Sequence, residues 1–224
     1  CEATIVGYKA ATSNTSGSHI LAMGYQAYDG ADTENHNMAI GSSALGGSVA
    51  GGEYNVAVGN YALQALTSGD FNTTLGYHSG TNISTGQQNV FIGYPAGKEA
   101  TTSDGCTVVG RFAGGASGTM TGNLNVYVGN SAGASATSGA NNTVVGASAA
   151  DALTSGSENT IMGEEAGGAL TIGDHNVLIG NHAGDAIVVE RRNVAVGNNA
   201  LHNHRTTAST VNDTGNTAVG FYAG

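Results

Sequence analysis

His202 and His204, with Arg205 beside them, are the only close pair of histidines in this sequence of 224 residues. Two imidazoles at that spacing could hold a cation, especially where several copies meet, but the adjoining guanidinium opposes one. The remaining histidines, at 19, 36, 78, 175 and 182, have no Cys or carboxylate at ligand spacing, so they read as exposed loop residues that share no column of the sequence. No stretch gathers an acid, a base and a nucleophile, which makes an enzyme the least expected class and a cofactor unexpected. The glycines at 46–52 lack the preceding strand and following helix of a phosphate-binding loop. Tyr8, Tyr25, Tyr77 and Tyr94 each follow a glycine and could stack on one another or on a sugar.

The elements that would position such residues have to be built from unusual material. Gly accounts for 37 residues, there is one Pro and no Trp, and only 10% of the chain is charged. Little large apolar volume is available for a conventional core. No strict G-X-Y period supports collagen, and regularly placed Val and Ile argue against disorder. The net charge of −10, from 16 acidic and 6 basic residues, makes nucleic acid an improbable partner. No apolar run approaches the ~20 residues that span a bilayer, so membrane insertion is not expected. Two cysteines are too few for a disulfide framework. Cys1 begins the chain without an initiator Met, and the chain is expected to be part of a longer or processed one.

The organisation is a repeat. Matching glycines fall at Gly7, Gly24, Gly41, Gly59, Gly76, Gly93, Gly110, Gly129, Gly146, Gly163, Gly180, Gly197 and Gly220, nine of the twelve intervals being 17 residues and the others 18, 19 and 23. These thirteen copies of a unit, each anchored on its repeat Gly, predict one repeat domain over 1–224. The residue before each repeat Gly is Val, Ile, Leu or Met; the residue two earlier than that is usually Val or Thr. Alternation of this kind between turn residues predicts one strand of about four or five residues per copy, with a weaker second strand conceivable before it.

Four residues before the repeat Gly stands Asn in ten copies: Asn37, Asn55, Asn72, Asn89, Asn125, Asn142, Asn159, Asn176, Asn193 and Asn216. Asn in equivalent places of stacked coils can bond to the Asn above and below, a ladder at the strand spacing of about 4.8 Å. Cys106 takes the Asn place in one copy and reads as a buried small thiol. Three residues after the Gly stands Ala in all copies but that of Ser79, a sign of close passage by a neighbouring chain segment. Extra residues fall only between one copy's Ala and the next copy's Asn, the longest insertion occupying 202–215. Its His202, His204, Arg205 and Asn212 form the candidate receptor loop, since repeat proteins place insertions on an exposed face.

The predicted fold is therefore all-β, a parallel β-solenoid of about thirteen coils. One short strand per 17 residues makes a thin coil, and the expected partner is the chain itself, as a homotrimer. The acidic residues, scattered through the loops, read as solubilising charges that discourage sideways association.

Units such as NTAVGFYAG (216–224), NVFIGYPAG (89–97) and NNTVVGASA (141–149) resemble the N-[TV]-x-[VI]-G-x-x-A repeats of bacteriophage tail fibre and virion appendage proteins. They are similar, more distantly, to the head repeats of YadA-like trimeric autotransporter adhesins. The resemblance runs the length of the chain and implies a trimeric β-roll at a virion or cell surface, acting as a fibre segment in host attachment. The alternative it implies is an adhesin head that binds surface polysaccharide or a protein receptor through its loops.

Overall fold

The computed structural model describes residues 2–203 and 215–224; His204, Arg205 and Asn212 lie outside them. Each repeat contributes one strand. The strands are β1 (Ala3–Val6), β2 (Ile20–Met23), β3 (Met38–Ile40), β4 (Val56–Val58), β5 (Thr73–Leu75), β6 (Val90–Ile92), β7 (Thr107–Val109), β8 (Val126–Val128), β9 (Thr143–Val145), β10 (Thr160–Met162), β11 (Val177–Ile179), β12 (Val194–Val196) and β13 (Thr217–Val219). The chain forms two compact units, Cys1–Cys106 and Thr107–Gly224. In the first, β1 to β6 pair in parallel in sequence order; in the second, β7 to β13 do the same. Register is constant at the repeat period: Val56 lies beside Thr73, and Val144 beside Ile161. Each unit is a parallel β-solenoid.

The strands are shorter than their sequence suggests, three residues in all but the first two, and the described residues contain no second strand in any coil. Left-handed residues, three in most coils, explain this. In the coil around Gly59 they are Tyr54, Tyr61 and Leu63, with φ of 59°, 61° and 50°. An extended run cannot pass through such angles, so the rest of the coil is a chain of turns. Ala62 N–H closes one of them on the carbonyl of Gly59 at 3.2 Å.

The repeat glycines themselves have φ between 130° and 143°, a region closed to other residues. Space closes it a second time. A Cβ on Gly59 would overlap the carbonyl group of Gly76 one coil on, with its carbon 2.6 Å away, and every 17-residue interval within a unit repeats this contact. A second glycine, seven residues before the repeat Gly, fails the same test: a Cβ on Gly69 would strike the carbonyl oxygen of Gly86.

Departures from that second column have a rule. Glu34, Ser103 and Glu190 replace the glycine in the coils just before the 18-, 19- and 23-residue intervals, and nowhere else in the described residues. Where the next coil is longer, its backbone need not pass so close, and a side chain fits. Glu34 uses the room. Its carboxylate accepts from the N–H groups of Asp32, Thr33 and Gly51 at 2.9–3.1 Å. Glu190, fully buried, accepts from Val188 and Val189 N–H at 2.7 and 2.9 Å. Charge-assisted bonds of this kind let a carboxylate stand inside a loop that lacks regular pairing.

Two of the inward columns that fill the core of each unit are coupled. One is the middle residue of each strand, two before the repeat Gly; the other lies four after it. Their volumes compensate. Ala22, Ala39, Ala57 and Ala195 sit with Tyr28, Leu45, Leu63 and Leu201, whereas Phe91, Tyr127, Ile161 and Leu178 sit with Gly97, Gly133, Gly167 and Gly184. A Cβ on Gly97 would meet the Phe91 ring first, at 2.6 Å. Each of these pairs thus holds one large side chain, and Leu66, Ile83, Leu153, Leu170 and Ile187, seven after the repeat Gly, complete the buried interior with the Ala three after it.

Candidate functional site

The most regular chemistry in the molecule is the asparagine column. Asn142 Oδ1 accepts from both the N–H and the Nδ2 of Asn159, at 3.0 Å each. Its own Nδ2 donates to Asn125 Oδ1 at 3.1 Å and to the Gly156 carbonyl at 2.9 Å. Asn159, Asn176, Asn193 and Asn216 extend the series in the second unit, and Asn37, Asn55, Asn72 and Asn89 form one in the first. All but Asn216 are fully buried. The Asn142 amide therefore spends its hydrogen-bonding capacity on stitching coil to coil, with nothing left for a ligand, while Asn37 and Asn55 add bonds to Tyr28 and Glu53.

Cys106 interrupts the series as a buried thiol. Its N–H still donates to Asn89 Oδ1 at 2.9 Å, so the backbone half of the ladder continues without the side-chain half. Removal of an amide elsewhere is costlier. Asn142→Ala orphans the Gly156 carbonyl and the Asn159 donors and leaves Asn125 Oδ1 with only the backbone N–H of residue 142, and is expected to lose about 2–4 kcal/mol in denaturant unfolding. Asn130→Ala, exposed on a turn, is the control and should stay within about 0.5 kcal/mol.

A second, outer series is not apparent from the sequence. Six residues before the repeat Gly, the side chain of one coil accepts from the backbone N–H of the coil before. Asp70 takes Glu53 N–H at 2.8 Å, Asp104 takes Gln87 at 2.9 Å, and Asp174 takes Ser157 at 2.7 Å. Asn35 does the same for Ser18 at 3.0 Å. These acids do more than supply solubilising charge, and their fixed offset from the repeat Gly is the signal that marks them. Thr67, Thr137, Thr154 and Thr171 add further coil-to-coil bonds from the opposite loop, each hydroxyl donating to a carbonyl 17 residues on.

The histidines do share columns, contrary to the expectation from sequence. His19, His36 and His175 stand five before the repeat Gly, and His78 and His182 two after it. Their neighbours in these columns vary between aromatic, amide and charged residues, which hides the register. In the first unit His19, His36, Tyr54 and Phe71 stack face to face, with centroids 4.6, 4.7 and 5.1 Å apart and planes within 13°. His19 also meets Glu2 at 3.0 Å, and in the second unit His175 meets Glu158 at 2.9 Å. Tyr8 and Tyr25 stack at 5.8 Å, Tyr61 and His78 at 4.8 Å, and Tyr77 and Tyr94 tilt together at 5.5 Å. Tyr8, Tyr25, Tyr77 and Tyr94 all remain about half exposed or more.

His202 is the described member of the candidate receptor loop. Its Nδ1 lies 2.8 Å from Asp185 Oδ1, and Asp185 also faces His182, which pairs with Glu165 at 3.2 Å. Asp151 lines the same acidic recess, and burial, with Glu165 nearby, raises its carboxyl above the ordinary Asp range. Among the described residues no three His, Cys, Asp or Glu side chains form a group that could hold a metal ion. Among them, too, no helix is long and apolar enough to cross a membrane.

No protein-family model, curated protein or solved structure matches the chain. What fold and geometry define is a class: parallel β-solenoids whose coils are stitched by a buried asparagine ladder.

Proposed function

We propose that this chain is a structural segment of a phage tail fibre or another extracellular appendage, in which three copies form a rigid element that serves attachment to a host or surface. The observation that carries this reading is the investment of buried polar groups. Asn37, Asn55, Asn72 and Asn89, like the series that starts at Asn125, satisfy one another across coils. A buried amide that bonds only to its own repeats resists bending and shear between coils and does nothing for a small ligand.

A second reading, an adhesin head that binds surface glycan or protein, draws on the half-exposed rings of Tyr8, Tyr25, Tyr77 and Tyr94 and on the 202–215 insertion. Amphipathic rings in rows suit the apolar faces of sugars. Native mass spectrometry is expected to give three times the 22.1 kDa chain mass; a single-chain mass removes the trimer. Glycan-array binding that disappears on deletion of 202–213 transfers the reading to the adhesin, and its absence leaves the fibre segment.

A further inference from the structure

Strand residues next to the repeat Gly and two before that point away from the core. In the first unit these are Leu21, Met38, Val56 and Val90 in one column and Met23, Ile40, Val58, Leu75 and Ile92 in the other, each part-exposed, Leu75 to 49%. With two such positions in each of thirteen coils, not one is Asp, Glu, Lys, Arg, His, Asn or Gln. A chain with a net charge of −10 has kept every charge off this face.

In the first unit rings and small polar residues flank these columns on both sides. Just after the repeat glycines come Tyr8, Tyr25, Ser42, Asn60, Tyr77 and Tyr94, none of them Asp, Glu, Lys or Arg. On the other side a groove runs between Thr4, Leu21, Met38 and Val56 and the rings of His19 and His36, with the Glu2 carboxylate, paired to His19, among its lining residues. Tyr54 and Phe71 continue that wall, 46% and 54% exposed. The rings cover one another's faces, so they offer edges rather than open stacking platforms. That geometry suits a protein surface laid along the wall better than a sugar stacked on it.

We propose that this face of the first unit, the outward strand columns together with the ring wall, is where copies of this chain pack on one another. The proposal rests on the reading of a self-assembling fibre segment. Two features select a second copy as the occupant. Twelve part-exposed apolar or Thr positions with the flanking rings amount to several hundred Å² of contiguous surface, more than soluble monomers ordinarily leave open and of the order of the ~800 Å² per partner in a standard interface. Like charge also disfavours other contacts between copies: the strand columns of this face carry no carboxylate, and the one lining its groove, Glu2, is paired with His19. An identical repeat supplies the same spacing of ridges, so side chains of one copy meet gaps of the other at every coil.

The experiment is sedimentation and native mass of the full chain carrying Val56→Lys and Val90→Lys. Both positions are outward, so the far-UV spectrum should be preserved while the mass falls to that of one chain. Ala65→Lys, about half a coil away on an exposed turn, should leave assembly intact. Should the lysines disturb folding, Val56→Thr with Leu75→Thr replaces them. Thr already fills the Val56 column at Thr73 and Thr107, and this pair should weaken association at least tenfold. Assembly that survives these changes overturns the interface and leaves the fibre reading standing. A wild-type chain that is monomeric overturns both.

Discussion

Gly59→Ala is expected to lower the stability of the first unit by at least about 4 kcal/mol, the largest effect of any single methyl added to this chain. Two costs coincide at that position. The φ of 136° is strained for any residue with a Cβ, and relief by backbone rotation is blocked because the Gly59 N–H is tied to the Ile40 carbonyl at 2.7 Å. The new methyl would also overlap the Gly76 carbonyl, which belongs to the next coil and cannot retreat without moving β5 out of register. Gly51→Ala separates the two costs. Gly51 has φ 114°, but a methyl added there would have nothing within 4 Å, so only strain remains, about 1–2 kcal/mol. Equal losses for the two variants in denaturant unfolding would show that close approach between coils is not what fixes the repeat glycines.

Phe91→Ala is expected to cost about 3–5 kcal/mol, since it empties the largest inward position of the first unit's strand column. The compensation between inward columns gives that variant a specific remedy. Gly97→Leu alone should also destabilise, because its Cβ would sit 2.6 Å from the Phe91 ring. Together the two changes recreate the pairing of Ala57 with Leu63, in which Leu63 holds a φ of 50° without difficulty. The double variant should recover at least half of the loss of Phe91→Ala. Additive losses, measured as a double-mutant cycle, would mean that the two columns do not share one volume.

These two columns mark the limit of what the sequence displays. Thirteen repeat glycines, the strand before each, and the asparagine series are legible because each position demands one residue type, by φ, by closeness or by hydrogen-bonding capacity. The facing of the strands is not. Val56 and Val58 are more apolar than Ala57 between them, and alternation alone would send the valines inward. The structure does the reverse, because a coil of 17 residues with one short strand encloses a space that Ala57, Leu63 and Leu66 already fill. The same narrowness converts Asp70, Asp104 and Asp174 from dispersed surface acids into partners of backbone N–H groups on the preceding coil. Their role follows from register between coils, which the columns of a single sequence show only once the repeat Gly is used as origin. His19, His36, Tyr54 and Phe71 are hidden for a related reason: a stack of rings needs only flat side chains at one offset, and their identities differ.

Because Asn142 hands its bonds to Asn159 in the same way that Asn159 hands them to Asn176, excising residues 143–159 would present Asn142 with an equivalent successor. Nothing in the stitching records how many repeats precede or follow. Gene duplication or loss in whole multiples of the unit therefore changes reach without redesign, which makes extent the most freely evolving property of such a molecule.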